Sequence, residues 1–305
     1  MLDNPGDGIK IRASIGTLAR IGIAQVKLEA YPRTAYLLLP GGCSGSCLFC
    51  PQWIKESRVS RVSWPEVELE YILNAQMLFE RVCIQSVLRR MFWEDLVKIS
   101  SLFEIPVSIS TNPVGERELL ELRKNSQMIG IGIDAASSSL FEAIRRPGSF
   151  ESYLKFFEKS LRIYGKGNVY VHLIAGLGED LKDMVRIMSY IYDRGGAVAL
   201  FAFTPVPGTP LQDREPPPIT YYRFIQIVNY SLKEGIPLER IGSLDPDDYK
   251  EAFLTSGCPG CNRPFYNERP GGKLYNFPSR ELLESRWEEV REEVRASLEY
   301  LRFLP

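Results

Sequence analysis

Histidine is almost missing from this chain: His172 is the single one among 305 residues. That excludes His-rich metal sites and leaves one imidazole at most for a catalytic triad. Long apolar runs are missing as well, and nothing approaches the roughly 18 residues of a membrane-spanning helix. Charge of one sign is missing: Lys plus Arg total 37 against 38 for Asp plus Glu, so the overall balance carries no nucleic-acid footprint. The opening residues MLDNPGDGIKIRASIG lack the basic-then-apolar layout of a signal peptide, and a cytoplasmic protein is expected. Cysteine is scarce, at six residues. In a reducing compartment those six read as metal or redox groups rather than as disulfides.

What is present is a regular alternation. Short apolar, β-branched runs predict strands at 34–40, 81–86, 106–110, 128–133, 169–176 and 197–203. Continuous apolar runs of this kind suit strands covered on both faces by crossover helices. Helical patterns fall between them, at 64–79, 150–165 and 180–195. Six successive βα units predict an α/β fold, a full or partial (β/α)6 barrel of the TIM type, with its chemistry at the C-terminal ends of the strands. The expected organisation is a helical extension over 1–33, a barrel core over 34–215, and a C-terminal extension over 216–305. That extension carries a cysteine loop and one long helix over roughly 279–303, with Leu283, Trp287, Val290, Val294 and Leu301 as its packing stripe.

The first predicted strand runs into PGGCSGSCLFCPQW, where Cys43, Cys47 and Cys50 form a CxxxCxxC. Three thiolates on one loop can hold three irons of a cubane and leave the fourth open for a small chelating ligand. A zinc knuckle is the competing reading, but it wants a fourth protein ligand and none lies on this loop. Cys258 and Cys261 form a CxxC in the Pro- and Gly-rich segment SGCPGCNRP, and Cys83 stands on the second predicted strand. Taken alone, Cys83 reads as a small buried hydrophobe. Taken with the pair, it completes a second set of three, expected at the C-terminal mouth of the barrel beside the first. A zinc clip or a redox CxxC remain alternatives for the pair. Ser256, Asn262 and Arg263 are nearby candidates for a fourth ligand.

CxxxCxxC after a first strand, with the aromatic Phe49 before the third cysteine, resembles the signature of radical S-adenosylmethionine (SAM) enzymes over roughly residues 34–215. The resemblance implies a [4Fe–4S] cluster on Cys43, Cys47 and Cys50, chelated by SAM, with one electron releasing a 5′-deoxyadenosyl radical. HLIAGLGE (172–179) resembles the family's GxIxGxxE, with His172 in place of the first glycine. It suggests Ile174 beside adenine and Glu179 as a further cofactor contact. Asp134 matches the acidic residue that holds the SAM ribose in biotin synthase-like members, although a helix N-cap competes for it. Arg146 is a candidate partner for the SAM carboxylate. No residue is assigned a catalytic role.

RVCIQS around Cys83 resembles the second-strand segment of biotin synthase. That enzyme also needs cysteines on its third and fifth strands, where this chain has PVSIS and VYVHL. The combination with CPGCNRP most resembles a component of the two-protein lipoyl synthase of archaea and some bacteria. This implies a second, auxiliary [4Fe–4S] cluster on Cys83, Cys258 and Cys261 that donates sulfur to an octanoyl-lysyl or mercapto-octanoyl-lysyl carrier. It also implies partners: a lipoyl carrier protein (glycine cleavage H protein or an acyltransferase lipoyl domain), a paired radical SAM protein, and an electron donor such as ferredoxin. No membrane or nucleic acid is implied. Arg58, Arg61, Arg89, Arg90, Arg145 and Arg146 are candidate contacts for an acidic carrier. Another radical SAM reaction with a relay or anchoring cluster is the alternative function, and a non-catalytic iron–sulfur or zinc scaffold is the third.

Overall fold

The structure is a computed structural model that describes residues 8–54, 57–145, 148–264 and 272–304. Among these residues the centre is one eight-stranded sheet. Six strands are parallel neighbours: β2 (Thr34–Leu38), β6 (Arg81–Gln85), β7 (Val107–Thr111), β8 (Met128–Asp134), β9 (Val169–Ala175) and β10 (Ala197–Ala202). They coincide with the six predicted strands to within about two residues at each end. Two short strands extend the sheet beyond β2, β1 (Lys10–Ala13) antiparallel to β2 and β5 (Glu66–Glu68) antiparallel to β1. A small hairpin, β3 (Arg58–Val59) and β4 (Val62–Ser63), stands apart from the sheet.

Helices α3 (Phe92–Ser100), α4 (Glu116–Asn125), α6 (Phe150–Tyr164) and α7 (Leu181–Asp193) are the crossovers, with the short α5 (Ser138–Ile144) ahead of α6. Alternation along β9 shows how they curl the sheet. Val169, Val171, Leu173 and Ala175 are fully buried in the hydrophobic core. Tyr170, His172 and Ile174 point the other way, onto internal cavities. The result is a partial barrel with a lumen lined by alternate residues of every parallel strand.

Three expectations are corrected. Residues 8–33 are not simply helical: β1 precedes a six-residue helix, α1 (Ile15–Arg20), because Ile11 and Ala13 are buried on the sheet. The segment 64–79 divides into β5, α2 (Leu69–Asn74) and a 3₁₀ turn, Gln76–Leu78. The long terminal helix is broken at Arg286, which leaves α9 (Arg280–Ser285), α10 (Trp287–Ser297) and a final 3₁₀ turn. What holds this region is a fully buried guanidinium. Arg223, on α8 (Ile219–Glu234), pairs with Glu293 at 2.9 Å and donates to the Leu274 and Tyr275 carbonyls at 2.6 and 2.7 Å. Paired with a carboxylate and bonded to two carbonyls, a buried Arg can tie α8, α10 and the incoming strand-like segment together. That segment forms a bridge between Leu254 and Phe277, which is the stem of the cysteine loop.

Candidate functional site

Two cavities occupy the lumen. The larger, about 240 Å³, lies at the C-terminal ends of the parallel strands and is lined by Cys43, Cys47, Cys50, Phe49, Asp134, Arg145 and Ile174, among others. The smaller, about 70 Å³, is lined by Cys83, Cys258 and Cys261 with Tyr36, Arg81, Ser108, Tyr170 and Arg263. Gln85, Ser110, His172 and Phe201 line both. One layer of side chains therefore separates the two sets of three cysteines.

The first set sits on the loop leaving β2. Cys50 N donates to the Cys47 carbonyl at 3.1 Å, and Trp53 Nε1 donates to the same carbonyl at 3.1 Å. Two of the sulfurs already accept hydrogen bonds: Cys43 from Leu88 N at 3.4 Å and Cys47 from Arg145 Nη1 at 3.6 Å. Burial pushes the Cys50 thiol up to about 12, with Cys47 and Cys43 adding to the rise. A metal cation is what would bring such buried thiols to thiolates.

Beside them lies a buried polar network. Arg145 pairs with Asp134 at 2.6 Å and donates to Asn112 Oδ1 at 3.2 Å and to the Tyr153 hydroxyl at 2.9 Å. Burial raises the Asp134 carboxyl, while Arg145 opposes it. The pair is read as ionised, since an arginine within hydrogen-bond reach does not give up its proton. Asp134 has φ +65°, and the N-cap of the following helix is Ser137, so capping does not account for the aspartate. Arg146 lies outside the described residues. Its neighbour Arg145 holds the place at the cavity wall and, being buried, is unavailable to a docking surface; Arg89 likewise pairs with Asp95.

Ile174 faces the larger cavity, but Glu179 does not. Its carboxylate accepts from Gly176 N at 2.7 Å, Gly178 N at 3.0 Å and the Tyr221 hydroxyl at 3.0 Å. It clamps the turn after β9 instead of offering a direct cofactor contact. Gly176 is at φ +99°, and a Cβ there would come within 2.7 Å of Pro217, so this turn requires glycine.

The second set converges as a set, but at the opposite end of the barrel from the one expected. Cys83 is the third residue of β6, in register with Tyr36 and Ser108. The CPGC turn is bonded to the first residues of two strands: Thr34 donates to the Gly260 carbonyl at 3.1 Å and Arg81 to the Pro259 carbonyl at 3.3 Å. The loop thus closes the N-terminal end. It also bridges the open side of the sheet. Leu200 N on β10 donates to Ser256 Oγ at 2.8 Å, while the Tyr36 hydroxyl on β2 accepts from Asn262 N and Arg263 N at 3.0 and 2.9 Å. The same hydroxyl lies 3.6 Å from Cys261 Sγ, to which it donates. Burial and the two neighbouring thiols push Cys83 well above the usual cysteine range, and burial pushes Cys258 up to about 11.

Of the three suggested fourth ligands, Ser256 and Asn262 are engaged in holding the loop. Asn262 accepts from Arg33 N at 3.0 Å and donates to the Tyr31 carbonyl at 2.9 Å. Arg263 does reach the smaller cavity, stacked 3.9 Å from the Phe201 ring. Ser108 and Tyr170 stand on the third and fifth parallel strands of this wall, so no sulfur comes from either. Sequence reasoning noted His172 as a departure from the resembled motif but gave it no place in the site. Burial, then Arg263 and Arg145, push its imidazole down to about 3. It is a neutral ring between the two cysteine sets, and Gly130 makes room for it, since a Cβ there would lie 2.8 Å from Nε2.

Among the described residues, no three His, Cys, Asp or Glu side chains gather as a single-ion site. Among the same residues, no helix is long and apolar enough to cross a membrane. The Radical SAM superfamily model matches residues 37–191, just over half of the chain. The chain belongs to the radical SAM superfamily. Membership implies a [4Fe–4S] cluster with SAM, and the residues around the larger cavity fit that group, with three thiols, two of them hydrogen-bonded, and no fourth protein ligand among the described residues lining the cavity from that loop.

Solved structures with the same fold include methylornithine synthase (PylB), at TM-score 0.52 and 15% identity over 73% of this chain and 68% of that one. HydG, a maturase of the [FeFe]-hydrogenase, matches at TM-score 0.55 and 11% identity over 67% and 50%. HydG from Carboxydothermus hydrogenoformans matches at 0.54 and 14% over 84% and 66%. Identities this low establish the shared fold alone. No curated protein sequence matches the chain.

Proposed function

We propose that this radical SAM enzyme is a sulfurtransferase of the lipoyl synthase kind, acting on an octanoyl-lysyl or mercapto-octanoyl-lysyl carrier protein. In this reading Cys83, Cys258 and Cys261 hold an auxiliary [4Fe–4S] cluster. The observation that carries the reading is the placement of two three-cysteine sets at opposite ends of one lumen, with a single shared layer of side chains between them. A carbon held in that layer has a hydrogen-abstracting cofactor on one side and a sulfur source on the other. Bound at these sites, the two groups supply a primary carbon radical precursor and transferable sulfide, chemistry that no side chain offers.

The chain's own residues position the reactants. Asp134, fixed by Arg145, offers a carboxylate to a ribose diol, and Ile174 offers an apolar wall to adenine. A thin acyl chain enters from the larger cavity as far as the shared layer, where the space beside Gly130 is filled by the His172 ring. His172, neutral, and Gln85 flank its end. Tyr36 and the loop it holds keep bulk water from the lower wall, so a carbon radical meets sulfur before it meets a competing quencher.

A second reading keeps the same cysteines but makes the lower cluster an electron relay or substrate anchor. The test is anaerobic reconstitution, reduction and incubation with SAM and octanoyl-lysyl or monothiolated carrier peptides. The proposal expects 5′-deoxyadenosine together with a peptide heavier by one sulfur. Deoxyadenosine with no thiolated peptide on either substrate overturns it.

A further inference from the structure

Beside the smaller cavity lies a lateral cleft of about 290 Å³ between the N-terminal extension, the β3–β4 hairpin and the cysteine loop. It shares two wall residues, Tyr36 and Arg263, with the cavity of Cys83, Cys258 and Cys261. Its wall carries Lys27, Arg61 and Arg263, and none of its described lining residues is acidic. We propose that this cleft is the entry port for hydrosulfide to the second cysteine site. The inference rests on the reading of that site as a consumable sulfur-bearing cluster.

The geometry favours this path over two others. The N-terminal end of the barrel is closed by the loop's bonds to Thr34 and Arg81. Passage from the mouth must cross the layer of Gln85, Ser110, His172 and Phe201, with SAM above it when bound. From the cleft, the Tyr36–Arg263 partition alone intervenes among the described residues. Three cations on a low-dielectric wall concentrate a small anion at that partition. The guanidinium of Arg263 is held by the Leu200 and Ser256 carbonyls at 3.3 and 2.9 Å, so the positive charge stays at the boundary between the two spaces.

Two substitutions test the port without touching either cysteine set. Gly16 lines the cleft, and a Cβ there would rest 3.8 Å from Pro32, an ordinary contact. Gly16→Phe therefore fills the cleft on a backbone that accepts a side chain. Lys27→Glu reverses one charge on the exposed wall. Both are made in full-length chain whose Cys43, Cys47 and Cys50 are alanine, so that absorbance during loading with ferrous iron and sulfide reports the second site alone. The port predicts second-site loading slowed roughly tenfold by Gly16→Phe and about threefold by Lys27→Glu, with a rate that falls as salt rises. The complementary background, with Cys83, Cys258 and Cys261 replaced by alanine, should load its cluster at an unaltered rate, which separates blockage from misfolding. Loading of the second site at the parent rate by both variants overturns the port and leaves the second cluster standing. A parent that takes up no second cluster overturns the reading of the site, and the port falls with it.

Discussion

Tyr36→Phe isolates one hydroxyl on which the lower site depends. The substitution keeps the ring and its packing, and removes the acceptor for Asn262 N and Arg263 N together with the donor to Cys261 Sγ. Burial and the adjacent Cys261 hold the phenol well above the usual tyrosine range, so it is protonated and able to donate at any working pH. An orphaned buried N–H costs about 1–3 kcal/mol. Taking about 1 kcal/mol for each, the two amides together give about 2 kcal/mol. As a local opening equilibrium of the loop over 256–264, that is roughly 30-fold. Amide exchange of Asn262 and Arg263 should accelerate by this factor while β8 and β9 exchange unchanged. Iron retained at the second site during gel filtration should fall, with iron at Cys43, Cys47 and Cys50 unaffected. Parental exchange at both amides together with full second-site iron would refute the reasoning, because the hydroxyl would then not be holding the loop.

The remaining predictions concern other parts of the site. Arg145→Met should cost about 3–5 kcal/mol in chemical denaturation, because it strands a buried Asp134, and should abolish SAM binding measured by calorimetry; a small stability change would mean that the pair is solvated. Glu179→Gln should cost about 1–2 kcal/mol through weaker bonds to Gly176 and Gly178 with SAM affinity altered less than about threefold, whereas a large affinity loss at parental stability would place Glu179 in direct contact. Gly130→Ala should displace the His172 ring at an overpacking cost of about 1–3 kcal/mol and lower thiolated product far more than 5′-deoxyadenosine; equal losses in both would remove His172 from the layer beside the reacting carbon. Triple alanine replacement of Cys83, Cys258 and Cys261 should halve the iron content and leave SAM cleavage measurable, and stoichiometric zinc in the parent would contradict the cluster.

Much of the fold was legible because its signals are local. Each parallel strand is a compact apolar run, and CxxxCxxC, itself eight residues long, begins five residues past the end of β2. The division of cysteines into two sets of three could be read from number and spacing. Which end of the barrel receives the second set could not. Cys83 points into the lumen from mid-strand and serves either end, and the bonds that decide it join Thr34 to Gly260 and Arg81 to Pro259 across most of the chain. β1 was hidden for a similar reason, since four residues ending at Ala13 become a strand only by pairing with β2 and β5. The break at Arg286 leaves the apolar spacing of the terminal helix intact, so periodicity gave no sign of it. Arg145 was obscured by Arg146 beside it in the sequence, because its burial against Asp134 is a contact that spacing does not reveal. His172 carried a signal, as an imidazole where the resembled motif has glycine, but its meaning depended on Gly130 on the adjoining strand β8, at a position where any side chain would collide with the ring.

The central claim, that sulfur leaves the site of Cys83, Cys258 and Cys261 and enters the substrate, is tested most directly by isotope. The protein is reconstituted with ³⁴S-sulfide, freed of excess label, reduced, and given SAM and carrier peptide; the peptide is then weighed by mass spectrometry. The account predicts thiolated peptide carrying ³⁴S, at about one sulfur per protein, with loss of the second cluster alone. Thiolated peptide without label, or label retained in an intact second cluster through turnover, would contradict it.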